Sequence, residues 1–142
     1  MNTIAERQEA IVAELQAVGG WRERYKRIIE LGRDLSPFPE EHRTDRNKVK
    51  GCQSQVWLHA ELVDGRVRLH GDSDAAIVKG LVSIVLKAFS DAPPQEIAAT
   101  PASFVNQLGL SENLSQTRAN GLAALIKQIK LYGVAFSALA KQ

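Results

Sequence analysis

The chain has 142 residues, enough for one domain that buries roughly 70% of the surface its unfolded form exposes, so it needs no disulfide or metal staple. Its composition, 44% hydrophobic and 24% charged, is that of a soluble globule, and a net charge of +2 with 6% aromatic residues argues against a nucleic-acid partner. The start, MNTIAERQEAI, carries acids and no apolar core, the ten residues between Lys130 and Lys141 are too few to span a bilayer, and one cysteine cannot form an internal disulfide, so a reducing cytoplasm is the expected setting.

Thr3 with Glu6 reads as a capping box, followed by Ile4, Ile11, Leu15 and Val18 at helical spacing and a stop at Gly19-Gly20. A second helix opens at Trp21, with Tyr25, Ile28 and Ile29 on one face, and ends before Pro37 and Pro39. Residues 37–46 read as a polar loop. Asp64-Gly65 is a favoured two-residue hairpin turn. Folding about it pairs Val63 with Arg66, Glu61 with Arg68 and His59 with His70. One face then carries Leu58, Ala60, Leu62, Val67 and Leu69, and the other a Glu61–Arg68 ion pair.

Beyond the hairpin the pattern is helical. Ser73 and Asp74 are placed to cap a helix whose stripe is Ile77, Leu81, Ile84 and Val85. A short helix follows from APPQEI, another is expected to start at Thr100-Pro101 and close at Gly109, and a last one runs from about Ser115 to Leu139. Its expected buried stripe is Leu122, Leu125, Ile126, Ile129, Phe136 and Leu139. Gly121 and Gly133 inside it cost about 1 kcal/mol each relative to Ala, which points to close packing. The order predicts an α+β fold, a short antiparallel sheet with helices packed on one face, as a single domain over residues 1–142.

The single cysteine, Cys52, lies in VKGCQSQVW rather than among apolar neighbours. One reading is a small buried hydrophobe. The other is a reactive thiol: Gly51 permits unusual backbone angles, Gln53, Ser54 and Gln55 can hydrogen-bond around the sulfur, and Arg43, Arg46, Lys48 and Lys50 upstream favour thiolate. Metal binding is disfavoured, since a structural zinc takes about four ligands and the chain offers one Cys and three His. His59 and His70 face each other across the strands but read as solvated, and spacing alone leaves open a dyad of Cys52 with His42, His59 or His70.

Three motifs in order, GCQSQVWL around Cys52, GDSDAAIVKGL from Gly71 to Leu81 and LSQTRANGL from Leu114 to Leu122, resemble the SufE family, as do WRERYKRIIELGRDL and the LGL at 108–110. The resemblance covers nearly the whole chain. It departs at Gln116, where the family commonly has proline, which puts the start of the last helix in question. It implies an IscU-like fold without IscU's ligand cysteines, and a carrier that takes sulfur from a cysteine desulfurase onto Cys52, stimulates that enzyme and feeds iron–sulfur cluster assembly. Pyridoxal phosphate (PLP) then belongs to the desulfurase, whether SufS-like or CsdA-like, and this chain holds no cofactor or metal.

The resemblance further implies that Cys52 is tucked beneath its loop, that Asp74 lies near that loop, and that Arg118 meets the partner or steadies a sulfur anion. Arg118 also sits in the first turn of the last helix, against the helix dipole. A homodimer is allowed, and a cluster scaffold is the downstream partner. The competing readings are an IscU-like metal or cluster scaffold and a thiol-dependent enzyme acting on a small molecule.

Overall fold

A computed structural model describes residues 2–140, with the side chain of Ala140 left aside. Met1, Lys141 and Gln142, and with them the two ends of the expected 1–142 domain, lie outside the described residues. Helix α1 (Ile4–Ala17) starts at the expected capping box: the Thr3 side chain accepts from the Glu6 N–H, and the Glu6 carboxylate accepts from the Thr3 N–H. Helix α2 is Trp21–Arg33. Strands β1 (Val56–Val63) and β2 (Arg66–Ser73) form a two-stranded antiparallel sheet in the register read from the sequence, with Val63 opposite Arg66 and His59 opposite His70. Asp64 (φ 51°) and Gly65 (φ 79°) both adopt the left-handed conformation that the tight turn demands.

Helix α3 (Ala76–Phe89) covers the apolar face of the sheet and also packs on α2. Short helices α4 (Pro94–Ala99), α5 (Phe104–Gln107) and α6 (Leu110–Asn113) lead to α7 (Gln116–Ala140). The core between them includes Ile4, Leu15, Ile28, Leu58, Ile84, Phe89, Ile97, Phe104 and Ile129. The architecture is α+β with helices on one sheet face, as expected. Both sheet edges are partly covered. Val49 N–H donates to Val56 O on one side, and Val67 N–H to Ala92 O on the other, each at 2.8 Å, so each edge is bridged at one point.

Several local expectations are corrected. Ser73 and Asp74 do not cap α3: β2 runs on to Ser73, the helix starts after Ala75, and Ala75 makes no side-chain cap. No helix starts at Thr100-Pro101. Instead the buried Gln8 amide on α1 accepts from the Phe104 N–H at 3.0 Å and donates to Pro101 O, so the donor left at the start of α5 is satisfied from a distant element. The Glu61 carboxylate bonds His70 Nε2 diagonally at 3.1 Å rather than Arg68. Residues 37–46 hold a 3-10 turn, Glu40–His42, the start of a second, Asp45–Asn47, and a buried Phe38, so the segment is more than a polar loop.

Helix α7 begins at Gln116, with Ser115 Oγ accepting from the Arg118 N–H, so the missing proline leaves the helix start where expected. Leu122, Leu125 and Ile129 are buried, but Leu139 is 57% exposed and leaves the expected stripe. By length and composition the helix is long and apolar enough to cross a membrane (mean hydropathy 1.4 over an 18-residue stretch within Gln116–Leu139), a longer run than the interval between Lys130 and Lys141 suggested. Here its buried stripe is packed against α4 and α3. A Cβ at Gly133 would lie 2.9 Å from the Ala98 nitrogen, the close packing that the glycine predicted.

Candidate functional site

Cys52 sits between the 3-10 turns and β1, half-buried, on a turn that Gly51 makes with φ at 91°. That angle is costly for any residue with a Cβ. The thiol points inward and donates to the Gly121 carbonyl of α7, with Sγ to O at 3.5 Å. Gly121 allows this approach, because a Cβ there would lie 3.4 Å from Sγ. Beneath the sulfur is a cavity of about 30 Å³ walled by Val56, Val78, Leu81, Val82, Leu122 and Leu125. Gln53, Ser54, Thr117 and Arg118 line its rim.

The segment after the cysteine is gripped by the end of β2. Asp74 Oδ1 accepts from the Gln55 N–H at 3.0 Å, and Ser73 Oγ donates to the Gln55 carbonyl at 2.8 Å. These are the two residues that the local pattern assigned to a helix cap. The hydrogen bonds at Gln55 come from its backbone, whereas the side chains of Gln53 and Gln55 are exposed. The sulfur's own bond goes to Gly121, so the polar run Gln53, Ser54 and Gln55 does not solvate it as expected. Arg118 stands at the cavity rim with Nη1 donating to the Tyr25 hydroxyl at 2.6 Å. Tyr25 counted in the sequence only as an apolar-face residue, and its hydroxyl gave no local signal.

The cationic run does not activate the thiol. Arg43 is held by Glu40 and Asp72, each at 2.9 Å, and lies over the Trp57 ring. Lys48 pairs with Asp45 at 3.0 Å. Burial pushes the Cys52 thiol up from its ordinary range. Burial in this conformation thus favours thiol over thiolate, the opposite of what the upstream cations suggested.

Among the described residues no group of three or more His, Cys, Asp or Glu is placed to hold a metal ion. The histidines lie elsewhere, with His42 stacked on His59 at 3.5 Å between ring centroids and His70 at 6.0 Å from His59. None of them lines the Cys52 cavity, so no imidazole is available there as a base.

The sequence model of the SufE family, described as an Fe-S metabolism associated domain, matches residues 9–132. The chain belongs to the SufE family. An uncharacterized SufE-like protein of Rhizobium etli is 43% identical over 127 residues, 86% of each chain. One of Rhizobium meliloti is 44% identical over 127 residues, 86% of this chain and 91% of the relative. In fold, this SufE-family chain is similar to a hypothetical protein from Thermus thermophilus, whose solution structure superposes with a TM-score of 0.75 at 20% identity, over 91% of this chain and 94% of the other. Membership ties the chain to iron–sulfur metabolism and supports a role in sulfur transfer.

Proposed function

We propose that this SufE-family protein is a sulfur carrier that accepts sulfane sulfur from a cysteine desulfurase on Cys52, stimulates that enzyme and passes the sulfur to iron–sulfur cluster assembly in the cytoplasm. The observation that carries the reading is the placement of Cys52: a lone thiol folded over an apolar cavity of about 30 Å³. A water-sized occupant needs roughly 10–15 Å³ by this measure, so one further sulfur atom has room there without opening the loop.

In the transfer step, the Cys52 thiol gives its proton to solvent and the thiolate attacks the outer sulfur of the donor's persulfide. The new S–S bond forms on Cys52, the donor's S–S bond breaks, and the donor cysteine leaves as thiolate. No net oxidation occurs, and the rate follows thiolate fraction, nucleophilicity and leaving-group pKa. A second thiol beside Cys52 would attack the persulfide and release sulfide, which a solitary cysteine avoids. PLP in this reading belongs to the desulfurase.

The buried, protonated thiol is the storage state. An apolar cavity keeps oxidants and small thiols from the cargo. Transfer needs the loop outward, and a partner drives that only by binding the outward state more tightly. The contacts that resist it are Asp74 and Ser73 on Gln55, and Gly121 on the sulfur. In this reading Arg118, which bonds Tyr25 at the cavity rim, meets the partner or a sulfur anion when the loop moves.

Incubation with a desulfurase and cysteine carrying labelled sulfur tests the reading. Label is expected on Cys52, reversible by a thiol reductant, and absent from Cys52→Ser, which keeps the wild-type melting curve within about 1 kcal/mol for so small a change. Label on a folded Cys52→Ser protein would sink the assignment.

A further inference from the structure

The cations upstream of Cys52 have a second destination. Arg46, Lys48 and Lys50 line a groove of about 460 Å³ into which Lys127 projects from α7. Leu131 and Tyr132 of α7 lie in the same groove. Lys48 is paired with Asp45, whose side chain is 95% exposed. Arg46, Lys50 and Lys127 form no ion pair among the described residues. The whole chain carries only +2, so four cations around one groove are a local concentration of charge. Such a cluster repels itself and focuses a field that favours an anionic occupant.

We propose that this groove docks an acidic polypeptide segment of a partner protein, with carboxylates on Arg46, Lys50 and Lys127 and an apolar side chain against Leu131 and Tyr132. The apolar residues favour a polypeptide, because a phosphate backbone has no group to place on Leu131. A single aromatic ring, Tyr132, offers little for base stacking. A second copy of this chain meeting groove to groove would set cation against cation.

The groove shares a wall with the cysteine turn. Lys50 precedes Gly51, and a Cβ at Gly51 would lie 3.4 Å from the Cβ of Ala124, which also lines the groove. A segment seated there touches the chain two residues from Cys52. Docking therefore reaches the carrier loop without passing through the cavity.

The test titrates the full chain with three fluorescent probes: a Glu-rich peptide with a central Leu, a Lys-rich peptide of the same length, and a single-stranded oligodeoxynucleotide of matching charge. The Glu-rich peptide is expected to bind saturably and weaken with salt, since exposed charges are screened over about 8 Å at physiological ionic strength. The double variant K50E/K127E should lose about tenfold or more in affinity. Lys50 and Lys127 are exposed, so the melting temperature should hold. K50Q/K127Q, with a smaller loss in the same direction, serves if reversal disturbs folding. Unchanged affinity in a folded double variant, no saturable binding, or tighter binding of the oligonucleotide through the same lysines would overturn the proposal.

Discussion

The Asp74 carboxylate accepts a hydrogen bond from the Gln55 N–H at 3.0 Å, joining the end of β2 to the segment that follows Cys52. Ser73 Oγ and the Asp74 N–H both donate to the Gln55 carbonyl, so the two backbone polar groups of this one residue are clamped from the far end of the hairpin.

Asp74→Ala should loosen that clamp. Asp74 is exposed and the bond is single, so the stability loss should be about 1 kcal/mol. Alkylation of Cys52 by iodoacetamide should speed up several-fold in the free protein. Asp74→Asn, which keeps an acceptor oxygen, should fall between. An alkylation rate unchanged by Asp74→Ala would show that Ser73, Gly121 and the backbone N–H of residue 74 hold the loop without the carboxylate.

Gly121→Ala separates helix propensity from loop closure. Ala is worth about 1 kcal/mol over Gly within a helix. The added methyl, however, would stand 3.4 Å from the Cys52 sulfur and crowd it. The melting temperature should therefore hold or rise while Cys52 becomes more reactive. Slower alkylation would mean that the cavity absorbs the methyl and the loop stays closed.

Burial raises the Cys52 pKa, and the sign of the consequence is fixed. The folded chain holds this proton more tightly than the unfolded chain. The associated stability is complete below the unfolded thiol pKa and is lost as pH rises through the higher folded value. In urea titrations across that alkaline window, Cys52→Ser should lose less stability than wild type. The alkylation rate of the folded wild type should also climb at higher pH than that of the unfolded chain. Superimposed profiles would contradict the buried-thiol geometry.

Arg118→Ala removes an exposed guanidinium that bonds the Tyr25 hydroxyl. Its effect on stability should be under about 1 kcal/mol, since Arg in the first turn opposes the helix dipole. Stimulation of a desulfurase should fall. Tyr25→Phe frees the same guanidinium but leaves its charge, so stimulation should be retained. Equal losses in both variants would assign the effect to the Tyr25 contact instead of to the charge.

The hairpin was legible because everything that sets it is local: Asp64-Gly65 fixes the turn, and alternation fixes the faces. The capping box at Thr3 was legible for the same reason. Ser73 and Asp74 were misread because two local rules competed. A Ser-Asp pair before an apolar periodic run is what a helix cap looks like, yet the strand continued far enough to turn both side chains toward Gln55. The start of α5 was hidden because its acceptor, Gln8, lies on α1. The cations near Cys52 were neighbours in sequence only. Arg43 is held by Glu40 and Asp72, and the fold sends Arg46, Lys48 and Lys50 into another groove. Cys52 itself stood out by composition, but the apolar chamber beneath it is assembled from α3, α7 and β1 and has no linear signature.

Under the proposed carrier role, the chamber under Cys52 would also act as a gauge of what the sulfur carries. A single extra atom fits inside with the loop shut, whereas a glutathione adduct is far larger than about 30 Å³ and holds the loop open. In the proposed role, oxidative blockage would thus advertise itself at the surface, where reductants can reach and clear it, while a single sulfur atom would stay hidden. In that role the same few apolar side chains would both shelter one sulfur atom and keep damage repairable.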